Sequence, residues 1–310
     1  MYRSAGTAPR KQPDTAPLTA PYTGRFAPSP TGRLHLGSLV AAVGSFLDAR
    51  HQRGRWLVRI EDLDTARVVP GAADDILRCL ERLGLAWDGT VEYQSRRLQL
   101  YEAALQQLRR RGLTFECSCP RSARGGAEQG YPGTCRAGPT RSGATATRFR
   151  VDRGAIVAFN DRAQGPVTLA LDELGDVIVR RRDGLFAYQL AVVVDDAAQQ
   201  VTAVVRGADL LDSTGWQLPL QQALGLAQPS HAHLPLIVKS GIKLGKSRAS
   251  VPAEAGAHTL FGVLKLLQQQ PPPQLRGAPV AALLEWAIQH WNLESLRGIA
   301  TLPDDWQLSN

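Results

Sequence analysis

At 310 residues the chain can bury a substantial core, as one large domain or two modest ones, and needs no disulfide scaffold to fold. A content of 44% hydrophobic and 21% charged residues excludes a wholly disordered chain, and no run reaches the roughly 18 apolar residues of a membrane span or forms the apolar core of a secretory signal. A cytoplasmic protein with no membrane partner is expected, and its formal charge of +8 and pI near 9.7 suit either a polyanionic partner or plain solubility.

Residues 1–21 are rich in Ala, Pro and Thr without periodicity and read as a flexible extension. From Tyr22 onward strands and helices alternate. GRFAP is a short strand, SLVAAVGSFLDARHQRG a helix closing near Gly54, and RWLVRIED a strand buried on both faces. ADDILRCLERLG and RRLQLYEAALQQLRRRG are helices, the second with Leu98, Tyr101, Leu105 and Leu108 along one face; Cys79 in the first reads as a buried helix residue. LTFECSC is again a strand. Such alternation predicts an α/β fold, a Rossmann-like doubly wound parallel sheet with its ligands at the carboxyl ends of the strands.

Residues 117–148 break the pattern as an insertion. Between Cys117 and Arg148 five arginines (121, 124, 136, 141 and 148) face one acid, Glu128, a candidate footprint for a phosphate backbone. RFRV, AIVAFND, DVIVRR, FAYQLAVVVDD and QQVTAVVRG then restore strand character. Beyond Ser250 a Pro-rich break, QQQPPPQ, precedes a helical period in AALLEWAIQHWNLESL, so a short helical region over 251–310 closes the chain.

Two stretches carry chemistry. RFAPSPTGRLHLGSL, Arg25 to Leu39, sets two prolines and two glycines around His35 just before a helix. A helix start offers unpaired N–H groups and a positive dipole end, and Gly32 and Gly37 leave room for a flat or charged ligand, so the stretch suits a nucleotide; the plainer reading is a Pro/Gly turn with a surface histidine. Far downstream GIKLGKS places Lys243 and Lys246 three residues apart between small residues, suited to closing over a triphosphate or simply to solvation. The cysteines offer a third: Cys117 and Cys119 with Cys135 beyond the basic insertion are three ligands of an incomplete tetrahedral zinc site, or three reduced structural cysteines.

Together HLGS (His35 to Ser38) and KLGKS (Lys243 to Ser247) resemble the two signatures of the class I aminoacyl-tRNA synthetases, and RFAPSPTGRLHLGSL, RIEDLD and RGADLL resemble the glutamyl branch. The short length and CSC followed by YPGTC are similar to the glutamyl-Q tRNA(Asp) synthetases. Ser38 and Gly245 depart from the usual signature residues. The resemblance implies a catalytic domain over 22–250 lacking the anticodon-binding domains of glutamyl-tRNA synthetases. It implies activation of L-glutamate with ATP and Mg²⁺ to glutamyl-adenylate without tRNA, then transfer to queuosine in the anticodon of tRNA(Asp). His35 and Lys246 become the catalytic pair, and His35, Gly37, Ser38, Lys243 and Lys246 the ATP contacts.

By the same resemblance Arg25, Phe26, Ala27, Pro28, Ser29, Glu61, Tyr188 and Arg206 form the glutamate site. The chemistry agrees, since two arginines can each grip a carboxylate and Glu61 can receive the ammonium. Which arginine takes the side-chain carboxylate stays open. Asp62, Asp64, Asp195 and Asp196 read as ordinary solvated charges, and HLPL at His233 as a strand start. Tyr131 completes Cys117, Cys119 and Cys135 in a pattern resembling the structural zinc site of the glutamyl-Q family. A monomer is expected. The alternatives are a truncated glutamyl-tRNA synthetase charging a tRNA 3′ end, another nucleotidyltransferase of similar fold, and a non-catalytic zinc-stabilised RNA-binding protein.

Overall fold

The structure, a computed structural model, describes residues 21–120, 130–239, 242–243 and 256–303. Its first half runs β1 (Thr23–Phe26), α1 (Leu36–His51), β2 (Arg55–Ile60), α2 (Ala72–Arg82), β3 (Glu92–Tyr93), α3 (Leu98–Arg110), β4 (Thr114–Cys117) and β5 (Ala146–Phe149). There follow β6 (Ile156–Asp161), β7 (Gly165–Ala170), α4 (Leu171–Leu174), β8 (Val177–Arg180), α5 (Tyr188–Ala198), β9 (Ala203–Gly207), α6 (Leu211–Leu224) and β10 (Ser230–Leu234). The last elements are β11 (Leu236–Lys239), β12 (Ile242–Lys243), α7 (Ala257–Leu266), α8 (Val280–His290) and β13 (Thr301–Pro303).

β1, β2 and β3 pair parallel in that order, and β9 pairs parallel with β10. The Thr202 N–H donates to the Thr23 carbonyl at 2.9 Å and the Thr23 N–H to Thr202 Oγ1 at 2.9 Å, which sets β9 beside β1. The parallel strands therefore lie in the order β3-β2-β1-β9-β10. The winding reverses between β1 and β9, and in such sheets the crevice at that reversal receives the ligand.

Helix α1 covers this crevice. It is buried on nearly every side because it lies between the sheet and the C-terminal helices: Leu39, Val43, Leu47 and Phe46 pack with Trp56 and Val58 of β2 and with Leu260, Leu264 and Leu283. Each such side chain contributes about 1.5–3 kcal/mol on burial, so this cluster supplies the stability that a polar crevice costs. Gly44 lets the helix sit down on the sheet, since a Cβ there would meet Leu234 Cδ1 at 2.7 Å.

A second layer is antiparallel. β5 pairs with β4 and β8, β6 pairs with β7, and the cluster holding Tyr101, Leu105, Phe149, Val179, Leu190 and Leu220 joins them to α3, α5 and α6. The run FAYQLAVVVDD, expected as a strand, is mostly helix α5. Its short β-branched apolar stretch fits a buried strand as well as a helix with Leu190, Ala191, Val192 and Val193 all buried, and periodicity cannot separate the two. β13, whose three residues are too short to carry a pattern, returns the chain to pair parallel with β11.

Candidate active site

A cavity of about 530 Å³ opens where β1 and β9 part. Its walls bring together residues far apart in sequence: Arg25 to Ser29 at the end of β1, the turn with His35, Gly37 and Ser38, Glu61 after β2, Tyr188 opening α5, and Arg206 on β9. All eight residues expected at a glutamate site line it, as do the three from the helix start. Lys246 lies outside the described residues, and of Lys243 only the backbone on β12, paired with Val238, is described.

His35 caps α1. Its Nδ1 accepts the Ser38 N–H at 3.4 Å, and Nε2 lies 3.0 Å from Ser38 Oγ. Serine thus holds both ring nitrogens at the position where HLGS departs from the usual class I signature. Gly37 lines the cavity and has a further use. A Cβ there would stand 3.3 Å from His35 Cε1 and Nδ1, so the bare backbone admits the imidazole.

Beneath the glutamate-type residues lies a charge network that the sequence reading missed. Arg59, wholly buried in β2, donates to Asp196 Oδ1 at 2.7 Å and lies 3.5 Å from Glu61 and 3.7 Å from Asp195. Arg25 Nε reaches the same Asp196 Oδ1 at 3.2 Å. Asp195 accepts from Gln94 at 2.8 Å, Arg97 at 2.6 Å and Tyr101 at 2.8 Å. Asp195 and Asp196 are therefore not solvated: they end the buried face of α5, where an unpaired charge would be costly, and pair with Arg25, Arg59 and Arg97. Asp62 and Asp64 are surface groups, accepting from Ser95 and from Arg67 and Arg181.

Glu61 stands apart. Its side chain is 8% exposed, and burial raises its carboxyl to about 7 against the pull of Arg59 and Arg25. It is thus poised to lose its proton when a cation arrives.

Arg206 has no acid partner among the described residues. Its Nε donates to His233 Nε2 at 3.0 Å, Nη2 to Leu210 O at 3.1 Å and Thr214 Oγ1 at 2.8 Å, and Nη1 to Tyr188 Oη at 3.3 Å. His231 and His233 lie on β10, which ends at Leu234, and both are buried; burial lowers His231 to about 3.

Cys117, Cys119 and Cys135 place their sulfurs within 4.8 Å of one another, with Tyr131 Oη 3.4 Å from Cys117 Sγ and 3.5 Å from Cys119 Sγ. Tetrahedral zinc with bonds of about 2.3 Å separates its sulfurs by about 3.8 Å, so the group is the right size for a metal ion. The Cys135 N–H donates to the tyrosine oxygen at 2.8 Å, which favours an acceptor there. The neighbouring arginines correct the expected phosphate footprint. Arg136 pairs with Asp176 (Nε to Oδ2 2.7 Å), and buried Arg148 donates to the Asp176 carbonyl and stacks 3.8 Å over the Tyr131 ring. Both tie the insertion to the segment before β8, Arg141 is exposed, and Arg121 and Arg124 lie outside the described residues.

The family described as tRNA synthetases class I (E and Q), catalytic domain, matches residues 22–125 and 127–255. Proteins named glutamyl-Q tRNA(Asp) synthetase share 53% identity over 93% of the chain and 99% of the relative in Pseudomonas aeruginosa, and 53% over 90% and 91% in Aromatoleum aromaticum. A glutamate-tRNA synthetase from Elizabethkingia anophelis superposes with a TM-score of 0.77 at 24% identity, covering 93% of this chain and 69% of that one. Among the described residues no helix is long and apolar enough to cross a membrane.

Proposed function

Because the chain belongs to the class I tRNA synthetases of glutamate and glutamine, and within them to the glutamyl-Q tRNA(Asp) synthetases, it is a ligase; we propose the following two-step reaction for it. It activates L-glutamate with ATP without tRNA, then passes the glutamyl group to queuosine in the anticodon of tRNA(Asp). The observation that carries this is the set converging on one cavity: Arg25 and Arg206 for two carboxylates, Glu61 for an ammonium, and the His35 turn for phosphate. Aspartate, one methylene shorter, would leave one arginine out of reach, and glutamine would leave a guanidinium without its anion.

In the first step an oxygen of the glutamate α-carboxylate attacks the α-phosphorus. The bond to the bridging oxygen breaks, and pyrophosphate leaves. His35, its ring held by Ser38, and the N–H groups at the start of α1 meet charge growing on the phosphates, and Lys246 is the second cationic contact expected from the sequence. Mg²⁺ carried with the ATP would supply charge neutralisation for the leaving pyrophosphate. In the second step a nucleophile of the queuosine base attacks the acyl carbon and AMP departs.

The cysteine group with Tyr131 fits a structural zinc, which would hold the insertion in shape for RNA and take no part in the chemistry. Residues 22–250 form the catalytic unit in this reading, interrupted by the insertion at 117–148 and followed by a helical region, and the protein works as a monomer in the cytoplasm, where its substrates are.

Glutamate-dependent ATP–pyrophosphate exchange without tRNA, with aspartate and glutamine as controls, tests the first step. Transfer to queuosine-containing tRNA(Asp) lacking its terminal adenosine tests the second. Transfer that needs the adenosine, and ignores queuosine, would show an ordinary 3′-end synthetase.

A further inference from the structure

Resting on the reading of Arg206 as a glutamate-binding residue, we propose that Asp161 and His233 act as positioning residues, fixing the Arg206 guanidinium through a neutral imidazole so that its charge stays available to the substrate. The geometry is continuous. Asp161 ends β6, and its Oδ1 accepts three backbone N–H groups, from Ala163 at 3.0 Å, Gln164 at 2.8 Å and His233 at 3.0 Å. Its Oδ2 is left for His233 Nδ1 at 2.6 Å. His233 Nε2 then faces Arg206 Nε at 3.0 Å.

An arginine Nε is always a donor, so His233 Nε2 must accept and the ring proton must sit on Nδ1, where Asp161 receives it. Burial lowers His233, which keeps the ring neutral, and both Asp161 and His233 side chains are wholly buried.

The contrast with Arg25 gives the arrangement its purpose. Arg25 is held by a carboxylate, Asp196, which shares its charge. Arg206 is held by neutral groups alone, the imidazole, the Leu210 carbonyl and two hydroxyls. Four of its five N–H groups are thereby engaged among the described residues, and one on Nη1 remains for a ligand. A carboxylate in place of His233 would orient the guanidinium equally well while cancelling the charge that attracts the substrate.

Asp161→Asn makes a specific test. Three backbone N–H groups hold the amide oxygen at the Oδ1 position, so the amide nitrogen faces His233 Nδ1 and drives the ring proton to Nε2, against the Arg206 N–H. A carboxylate-to-amide change is known to select the wrong tautomer in this way. His233→Asn removes the acceptor for Arg206, whereas His233→Gln retains a neutral oxygen near Nε2.

The experiment measures glutamate dissociation constants by calorimetry on the full chain, with ¹⁵N-imidazole spectra of the wild type and Asp161→Asn. The His233 signals are identified by their loss in His233→Gln. Asp161→Asn and His233→Asn are expected to weaken glutamate binding about tenfold, the size of one misplaced charge-assisted bond, and His233→Gln to stay within about threefold of wild type. The spectrum should move from an Nδ1–H to an Nε2–H ring in Asp161→Asn. Arg206→Ala separates the two levels. If it weakens glutamate binding while Asp161→Asn changes neither affinity nor tautomer, the positioning role is refuted. If Arg206→Ala leaves affinity unchanged, or the wild type does not bind glutamate, the reading beneath it falls and the proposal with it.

Discussion

Replacing Glu61 by Gln should make the ligand-free protein more stable above neutral pH while abolishing glutamate activation. In the folded chain the carboxyl titrates near 7, against an ordinary value of 4.5, because burial penalises its charged form more than Arg59 and Arg25 reward it. The folded state thus holds its proton more tightly than the unfolded state. The group's favourable contribution is fully present below pH 4.5 and is lost as pH rises through 7. At about 1.4 kcal/mol per pH unit, ionising Glu61 costs the ligand-free fold about 1 kcal/mol at pH 5 and about 3 kcal/mol at pH 8. Glutamine imitates the neutral acid, so the stability gap between Glu61→Gln and wild type should widen by about 2 kcal/mol between these pH values. Urea denaturation of both proteins at pH 5 and pH 8 measures it. In kinetics the sign reverses, since the ammonium needs the ionised carboxylate: kcat/KM for glutamate should fall about tenfold from pH 8 to pH 6. A stability gap independent of pH, or exchange activity surviving in Glu61→Gln, would refute the reasoning.

Other perturbations separate support from chemistry. Gly37→Ala places a methyl 3.3 Å from the His35 ring and should lower kcat for exchange about tenfold with little change in the glutamate KM, as measured by steady-state kinetics. Asp48→Ala removes the buried acceptor shared by Tyr22, Arg162 and Trp291 and should cost about 3–5 kcal/mol in urea unfolding, since it leaves a guanidinium and two donors unpaired. If the cysteine group holds the proposed zinc, Tyr131→Phe should weaken its retention against a chelator by at least tenfold, read by metal analysis after dialysis, while Cys117→Ser should release the metal outright and lower the melting temperature.

The groups that line the cavity were legible in the sequence because turns and strand ends advertise them. Pro28, Gly32 and His35 stand out before an apolar run, and Glu61 and Arg206 close strands rich in Val, Leu and Ile. The groups that hold them were not legible for a common reason: each is a polar residue inside an apolar element, where periodicity sees only an interruption. Asp195 and Asp196 follow AVVV and read as the end of a strand; the helical turn of α5 instead brings Asp196 onto Arg25 and Arg59 and Asp195 onto Gln94, Arg97 and Tyr101. Arg59 carried the one usable signal, a cation in a strand otherwise buried along its length, which requires an acid nearby.

That division reflects how the cavity reconciles two opposed demands. Binding a zwitterion, as proposed, needs charges that are desolvated in advance, yet a buried guanidinium without a partner would unfold the sheet that carries it. Arg25 and Arg59 solve this with a shared carboxylate at 3.2 and 2.7 Å, Glu61 by a carboxyl that burial raises to about 7, and Arg206 with a neutral imidazole and hydroxyls. Each solution needs partners on at least two elements, β1 and β2 with α5, or β6 and β10 with β9. The site is consequently complete only when the whole sheet has closed, and in the proposed reading substitutions at Asp196 or Asp161 should disturb glutamate affinity before they disturb the apolar clusters around α1 and α5.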